Sequence, residues 1–347
     1  MKHKKGIAVL RRTLFLLLAA AILFRVSGVL ARKSAYGAEN DPILLKVGGY
    51  QNEPEDSFDV LAFGSSHMYC TLNPVYLYEQ TGLRSYVLAT QQQPPVATYY
   101  YVREALRTQK PEVIIVDAFV FAADIETVSD SVAHDAIDPL PASRNKLQLI
   151  REMDQRDGKE GYYVPLMKYH TRWKSLTRED FTFDPQGLTD PLRGYMFFSN
   201  VGESSSRQQS YDVEPLPVQQ EHLDYLLKLR DLAQEHDAKM LLLFAPFPMS
   251  DTYRGKFLTL HQFAAENDIA VLDMNLEFDA IGFDGMTDFC DSSHLNIYGA
   301  EKATLRIGAC LTEVFGLTPA QLDDEQDWLD DIGAYYRKKA ASAQLAD

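Results

Sequence analysis

Five short apolar runs, spread along a 347-residue chain, constrain this sequence more than any other feature. They are FDVLAFG at 58–64, SYVLA at 85–89, EVIIVDAFVF at 112–121, KMLLLFAPF at 239–247 and IAVLDMN at 269–275. Each is brief and almost continuously apolar, the pattern of a strand buried on both faces. The stretches between them have helical spacing. Pro74 opens a helix to about Gln80 that Gly82 ends, and Pro94 and Pro95 open a longer one. VQQEHLDYLLKLRDLAQEH places Leu223, Leu226, Leu227 and Leu229 on or near one face, and further helices are expected over 251–267 and about 298–314. Such alternation predicts right-handed crossovers and a parallel sheet covered on both sides, a three-layer α/β/α architecture.

The alternation is interrupted between about 122 and 216. That stretch contains Pro139 and Pro141, the helix-like RNKLQLIREMD and the polar SSSRQQS. It is expected to be a mostly helical insertion that caps one end of the sheet. Residues 34–57, polar with Pro and Gly, are expected to be a linker, and 58–315 the main domain. Residues 316–347 are expected to be a charged tail, helical or partly disordered.

Charge divides the chain in two. Residues 1–33 hold eight basic residues and no Asp or Glu, while the remainder holds 26 basic against 49 acidic residues, a balance of −23. A body this acidic lacks the footprint of a nucleic-acid binder. Within the basic head, residues 13–31 are apolar except Thr13, Arg25 and Ser27, long enough to cross a bilayer as a helix of roughly 20 residues. Arg25 lies near the outer end, where it can snorkel. The basic residues before the span place the N-terminus in the cytoplasm and the body outside. A cleaved signal peptide is the competing reading, with Val29-Leu30-Ala31 as the cleavage site. Both export the body. Three cysteines, Cys70, Cys290 and Cys310, are too few for a disulfide scaffold or a zinc module.

Two segments carry chemistry. FGSSH at 63–67 sits where the first strand ends, the place where functional groups collect in a doubly wound sheet. CDSSH at 290–294 sets Asp291 three residues before His294, ahead of the last sheet-flanking helix. A serine nucleophile needs a base, and the base needs a partner that fixes its tautomer. With serine after the first strand and D-x-x-H before the last helix, the chain resembles the SGNH, or GDSL, hydrolase superfamily. Gly64-Ser65-Ser66 matches the first family motif, which makes Ser66 the nucleophile. Asp291 and His294, followed by LNIYG, match the last. The resemblance covers roughly 58–120 and 218–315. It implies a flavodoxin-like SGNH-hydrolase fold and ester hydrolysis or acyl transfer, with no cofactor and no metal.

Within that superfamily the chain looks most like membrane-anchored members acting on cell-envelope polymers. These include the D-alanine transfer protein of lipoteichoic acid synthesis and alginate-acetylation proteins. The resemblance thus implies an envelope polymer or small acyl ester as substrate, and a membrane-bound O-acyltransferase as a partner. Two motifs depart from the family. The second, which supplies a glycine N–H to the oxyanion hole, corresponds to VLATQQQPP, where Gln92 stands nearest and its backbone N–H would serve beside that of Ser66. The third, which supplies an Asn, corresponds to IIVDAFVF, where Asp117 stands. An ionised Asp cannot donate, so Asp117 is either a structural acceptor or a polar contact for substrate. His67 is either an ordinary histidine or a substrate contact. Arg172 and Trp173 suit an anion or a sugar, against the plainer reading that Trp173 packs the insertion onto the sheet. Cys70 and Cys290 are free buried thiols or, outside the cell, a disulfide. The alternative to catalysis is an envelope protein that keeps the fold to bind a glycan or an acyltransferase partner, and a wide gap between Ser66 and His294 would favour it.

Overall fold

The computed structural model describes residues 2–35, 42–123, 129–153, 160–163, 165–184, 187–319 and 325–344. All five apolar runs form strands: β1 (Val60–Gly64), β2 (Ser85–Ala89), β3 (Val113–Asp117), β4 (Lys239–Phe244) and β5 (Ala270–Asp273). They make one parallel sheet in the order β2-β1-β3-β4-β5. This is the doubly wound, flavodoxin-like order, whose direction of winding switches between β1 and β3.

The period-2 alternation of a strand splits the core into two layers. Leu61, Phe63, Tyr86, Leu88, Ile114, Val116, Leu242 and Phe244 face one side. Val60, Ala62, Val87, Ile115, Leu241, Leu243 and Leu272 face the other. The chain begins with α1 (Lys2–Ala35) and α2 (Pro42–Tyr50). Then come α3 (Ser66–Thr71), α4 (Pro74–Thr81), α5 (Pro95–Ala105) and α6 (Phe119–Ala122). Pro95 starts α5, where its missing N–H costs nothing, and Gly82 ends α4 in the left-handed region. Later helices are α7 (Asp130–Ile137), α8 (Arg144–Glu152), α9 (Glu160–Tyr163), α10 (Pro165–Tyr169), α11 (Arg178–Thr182), α12 (Gln220–Glu235), α13 (Asp251–Glu266), α14 (Phe278–Ile281), α15 (Ile297–Ala309) and α16 (Gln326–Gln344). Helices α5, α12 and α13 bury their apolar stripes in the first layer, and α3, α4 and α15 in the second.

Outside the sheet the expectations for the linker and the insertion need correction, while the tail takes the helical form of the two expected for it. Part of the expected linker is α2, which packs on β2 with Lys46 and Val47 buried; Tyr86 Oη donates to the Lys46 carbonyl at 2.7 Å. Residues 36–41 of that linker, and 320–324 and 345–347 of the tail, lie outside the described residues. The tail docks through α16. Trp328, Ile332 and Tyr335 recur at helical spacing on one stripe; Trp328 stacks on Tyr78 at 4.5 Å and Tyr335 is fully buried. The described residues of the insertion are mostly helical up to residue 184, but it flanks the sheet before it reaches its end. Helix α8 packs on α5, with Asn145 donating to Glu104 at 2.7 Å, because Leu149 and Ile150 need an apolar neighbour. The chain then covers the open edge of β2, where Val87 N–H donates to the Arg193 carbonyl at 2.9 Å. Only then, near 200–204, does it reach the loop before α15.

Helix α1 contains one segment, Gly6–Leu30, long and apolar enough to cross a membrane. Leu14 to Leu18 are exposed along it. Its last turns rest on α10 and α11 of the insertion.

Candidate active site

The winding switch brings the carboxyl ends of β1 and β3 side by side, and the site is built there. After Gly64 the chain turns into α3. Gly64 has φ +150°, and a Cβ on it would lie 2.3 Å from Asp117 Cβ, so only glycine lets the two strand ends approach this closely. Asp117, 1% exposed, accepts from Ser65 Oγ at 2.5 Å and from Phe119 N–H at 3.0 Å. Ser65 is in turn the N-cap of α3, with its Oγ accepting from His67 N–H. The two adjacent serines therefore differ in duty: Ser65 is consumed by the fold, and Ser66 is left half-buried at the surface. As the first residue of α3, Ser66 has no intrahelical acceptor for its N–H.

The opposite wall is the loop before α15. Asn296 caps that helix, accepting from Tyr298 and Gly299 N–H, and its amide donates to the carbonyls of Thr287 and Phe289. Gly202 lies so close that a Cβ would sit 2.6 Å from the Cys290 carbonyl oxygen, and Asn200 Nδ2 donates to that same oxygen at 2.6 Å. The last part of the insertion thus braces the loop. Within it, Asp291 Oδ1 accepts from the N–H groups of Ser293 at 2.7 Å and His294 at 2.8 Å.

These supports bring three side chains into line. His294 Nε2 lies 2.8 Å from Ser66 Oγ, and His294 Nδ1 lies 2.8 Å from Asp291 Oδ2. Residues 228 positions apart meet as hydroxyl, imidazole and carboxylate. Burial pulls the Asp291 pKa up. The N–H groups of Ser293 and His294 and the imidazole outweigh it and hold the carboxyl below its ordinary range. A carboxylate facing Nδ1 favours the tautomer with its proton there, which leaves Nε2 as an acceptor for the serine proton.

The other expected residues are distributed as follows. Gln92 is exposed in the turn after β2; Ala89 of that strand pairs with Gly64, so the two turns adjoin. Its φ is +47°, in the left-handed region that glycine favours. Asp117 is a structural acceptor for the turn that carries Ser66, and burial, against its hydrogen bonds, raises its pKa to about 6. His67 is 5% exposed, with its ring 5.1 Å from that of His294 and packed on Phe119 and Phe247 at 4.3 and 5.2 Å. Burial, and then the nearby His294, lower its pKa to about 3, so it is neutral at ordinary pH.

Of the two insertion residues expected to meet substrate, Arg172 is already engaged and Trp173 lies at the surface. Arg172 donates to the Leu30 carbonyl of α1 and to buried Asp180, both at 2.6 Å, so its charge is already paired. Trp173 is 66% exposed and does not pack the insertion onto the sheet. Cys70, Cys290 and Cys310 are free and buried, and burial raises the Cys70 thiol well above its ordinary range. Among the described residues, no group of three His, Cys, Asp or Glu is placed to hold a metal ion. Sequence reasoning missed Ser65, Asn200 and Asn296. Only Asn296 had a signal, a capping residue ahead of an apolar helical run.

No family model matches the sequence, and no curated protein matches it. Several solved structures show a distant likeness to it. A protein assigned to the G-D-S-L family of lipolytic proteins, from Desulfitobacterium hafniense, is 12% identical, covering 72% of this chain and 97% of its own, with a TM-score of 0.36. A protein assigned as an acylhydrolase, from Bacteroides fragilis, is 10% identical over 80% of this chain and 99% of its own, with a TM-score of 0.36. A catalytic mutant of an acetylxylan esterase from Geobacillus stearothermophilus is 11% identical over 77% and 98%, with a TM-score of 0.35. Likeness at this level carries no argument about chemistry, which rests on the side chains described above.

Proposed function

We propose that this protein is a serine esterase or O-acyltransferase of the SGNH type. The observation that carries the reading is the unbroken 2.8 Å and 2.8 Å relay from Ser66 through His294 to Asp291. Ser66 Oγ attacks the ester carbonyl as its proton passes to His294 Nε2. Asp291 holds the imidazole and stabilises the imidazolium that forms. The tetrahedral oxyanion lies against the N–H groups of Ser66 and Gln92. Collapse breaks the ester C–O bond, and His294 returns the proton to the departing alkoxide. Water then releases the acid in an esterase; a polymer hydroxyl takes the acyl group in a transferase. His67, neutral and walled by Phe119 and Phe247, forms an apolar shoulder beside the reacting serine. It is well placed to exclude water.

The apolar Gly6–Leu30 segment and the charge split support a single-pass anchor with the acidic domain outside the cytoplasm; an envelope polymer or small acyl ester is the substrate we propose for it there. A binding-only protein is the weaker reading, since a hydroxyl held by a fixed imidazole is not needed for binding alone. A fluorophosphonate probe tests the mechanism: wild type should label and Ser66→Ala should not. Labelling that persists in Ser66→Ala overturns it. Ester cleavage measured with and without a glycan acceptor separates hydrolase from transferase.

A further inference from the structure

The part of the insertion nearest α1 differs from the rest of the acidic body. Residues 165–182 contain Lys168, Arg172, Lys174 and Arg178 against Glu179 and Asp180, four basic to two acidic, in a body whose balance is −23. This segment is fastened to the outer end of the apolar span. Leu30, the last residue of that span, is 5% exposed and packs with Tyr169, Leu166 and Leu176, while Arg172 donates to its carbonyl. Next to this junction Met167, Trp173 and Phe181 are 58%, 66% and 65% exposed, and Lys174 Nζ lies 5.8 Å from the centre of the Trp173 ring. A single exposed apolar side chain needs no explanation. Three of them, interleaved with cations at the mouth of a membrane-length helix, do.

We infer that residues 165–182 form a foot that rests on the membrane surface, with a bilayer containing anionic lipid as its occupant. Trp173, Met167 and Phe181 enter the headgroup region, where an indole, apolar in body and polar at its N–H, is best accommodated. Lys174 and Arg178 face the lipid phosphates, with Glu179 the one exposed acidic neighbour in the segment. Arg172, bonded to the helix end, fixes the height of the foot relative to the bilayer. The domain is then held at two points, which restricts its tilt and the level at which Ser66 meets substrate. The inference rests on the anchoring proposed above, not on the acyl-transfer chemistry.

The test uses the full chain in nanodiscs of phosphatidylcholine and phosphatidylglycerol, with lipids spin-labelled near the headgroup or at the acyl end. The chain has two tryptophans, so Trp328→Phe leaves Trp173 as sole reporter; should that variant not fold, the difference between wild type and Trp173→Phe reports the same signal. Trp173 should be quenched about twofold more strongly by the headgroup label than by the acyl-end label. Lys174→Glu with Arg178→Glu should weaken that quenching when phosphatidylglycerol is present and leave it unchanged in phosphatidylcholine alone. Phe15→Trp, in a Trp173→Phe background, reports on the anchor and should respond to the acyl-end label. Quenching at Phe15→Trp without quenching at Trp173 overturns the foot and leaves the anchor standing. Quenching at neither removes both. Shielding of Trp173 from acrylamide without quenching by lipid labels assigns the surface to a protein partner and overturns the inference.

Discussion

The turn that presents Ser66 and the loop that presents His294 meet at one hydrogen bond but are held by different physics. The serine turn is enclosed: Ser65 and Asp117 are each 1% exposed, and Gly64 is pressed onto Asp117. It is organised around a buried carboxyl group whose hydrogen bonds to Ser65 and Phe119 offset only part of the cost of burying its charge. The histidine loop is open. The Asp291 side chain is 53% exposed, and order there comes from local N–H donors and from the Asn296 cap. Thus Ser66 is placed by burial, and His294 by backbone geometry. Solvent can reach the carboxylate that orients the base, so its electrostatic leverage is reduced.

The largest expected effects test this division at the reacting atoms. Ser66→Ala or His294→Ala should lower kcat/KM for ester cleavage by about 10⁵–10⁶. Asp291→Asn should cost only about 10²–10³, less than the roughly 10⁴ seen where such a carboxylate is buried. Steady-state kinetics on one ester with all three variants is the check. An Asp291→Asn enzyme as dead as Ser66→Ala would mean that exposure does not weaken this carboxylate, and the contrast would fail.

A second test lies in two buried groups with opposite signs. Asp117 has a folded pKa of about 6, above the ~3.9 of an unfolded Asp. Its contribution to stability is full below the unfolded value and is lost as pH rises through about 6. His67 has a folded pKa of about 3, below the ~6.5 of an unfolded His. The native state here binds fewer protons, so stability is present above about 6.5 and is lost as pH falls. Between about pH 4 and 6 the two trends oppose each other, each on the order of 3 kcal/mol before the fold relaxes. Relative to wild type, Asp117→Asn should gain stability on going from pH 4 to 6, and His67→Gln should lose it. Urea midpoints at pH 4, 5 and 6 measure both. Variants that track wild type throughout would remove burial as the means by which the serine turn is tuned.

The same contrast explains what could be read from sequence. The sheet was legible because buried strands are short apolar runs, and all five were found. Ser66, Asp291 and His294 were legible as motif positions. The Ser65–Asp117 bond was not, because it joins residues 52 apart across two parallel strands and neither has a local signature. Helix α2 reads as a linker because it is only nine residues long and contains Gly48 and Gly49. Arg172 looked like an anion site because composition shows its charge but not its partner, the Leu30 carbonyl 142 residues away. Long-range pairing, not residue type, separates the correct readings from the incorrect ones.

Gln92 provides the smallest effect and the finest test. Among the described residues it is one of five non-glycine residues with positive φ, and the only one of these in the turn after β2. An L-residue in that region carries about 1–2 kcal/mol of strain, which glycine would not. If Gln92 is kept for its backbone N–H, Gln92→Gly preserves the donor and the geometry while relieving the strain. Stability should rise by up to about 1 kcal/mol, less than the strain itself, because glycine adds freedom to the unfolded chain. The rate should stay within roughly threefold, since no donor is lost. Gln92→Val, whose branched Cβ resists this conformation, should instead lose both stability and activity. A rate loss of about 10² or more in Gln92→Gly, with stability raised, would move the function of Gln92 from its backbone to its amide side chain. The open turn after β2 would then resemble the histidine loop, acting through exposed side chains, more than the enclosed turn that carries Ser66.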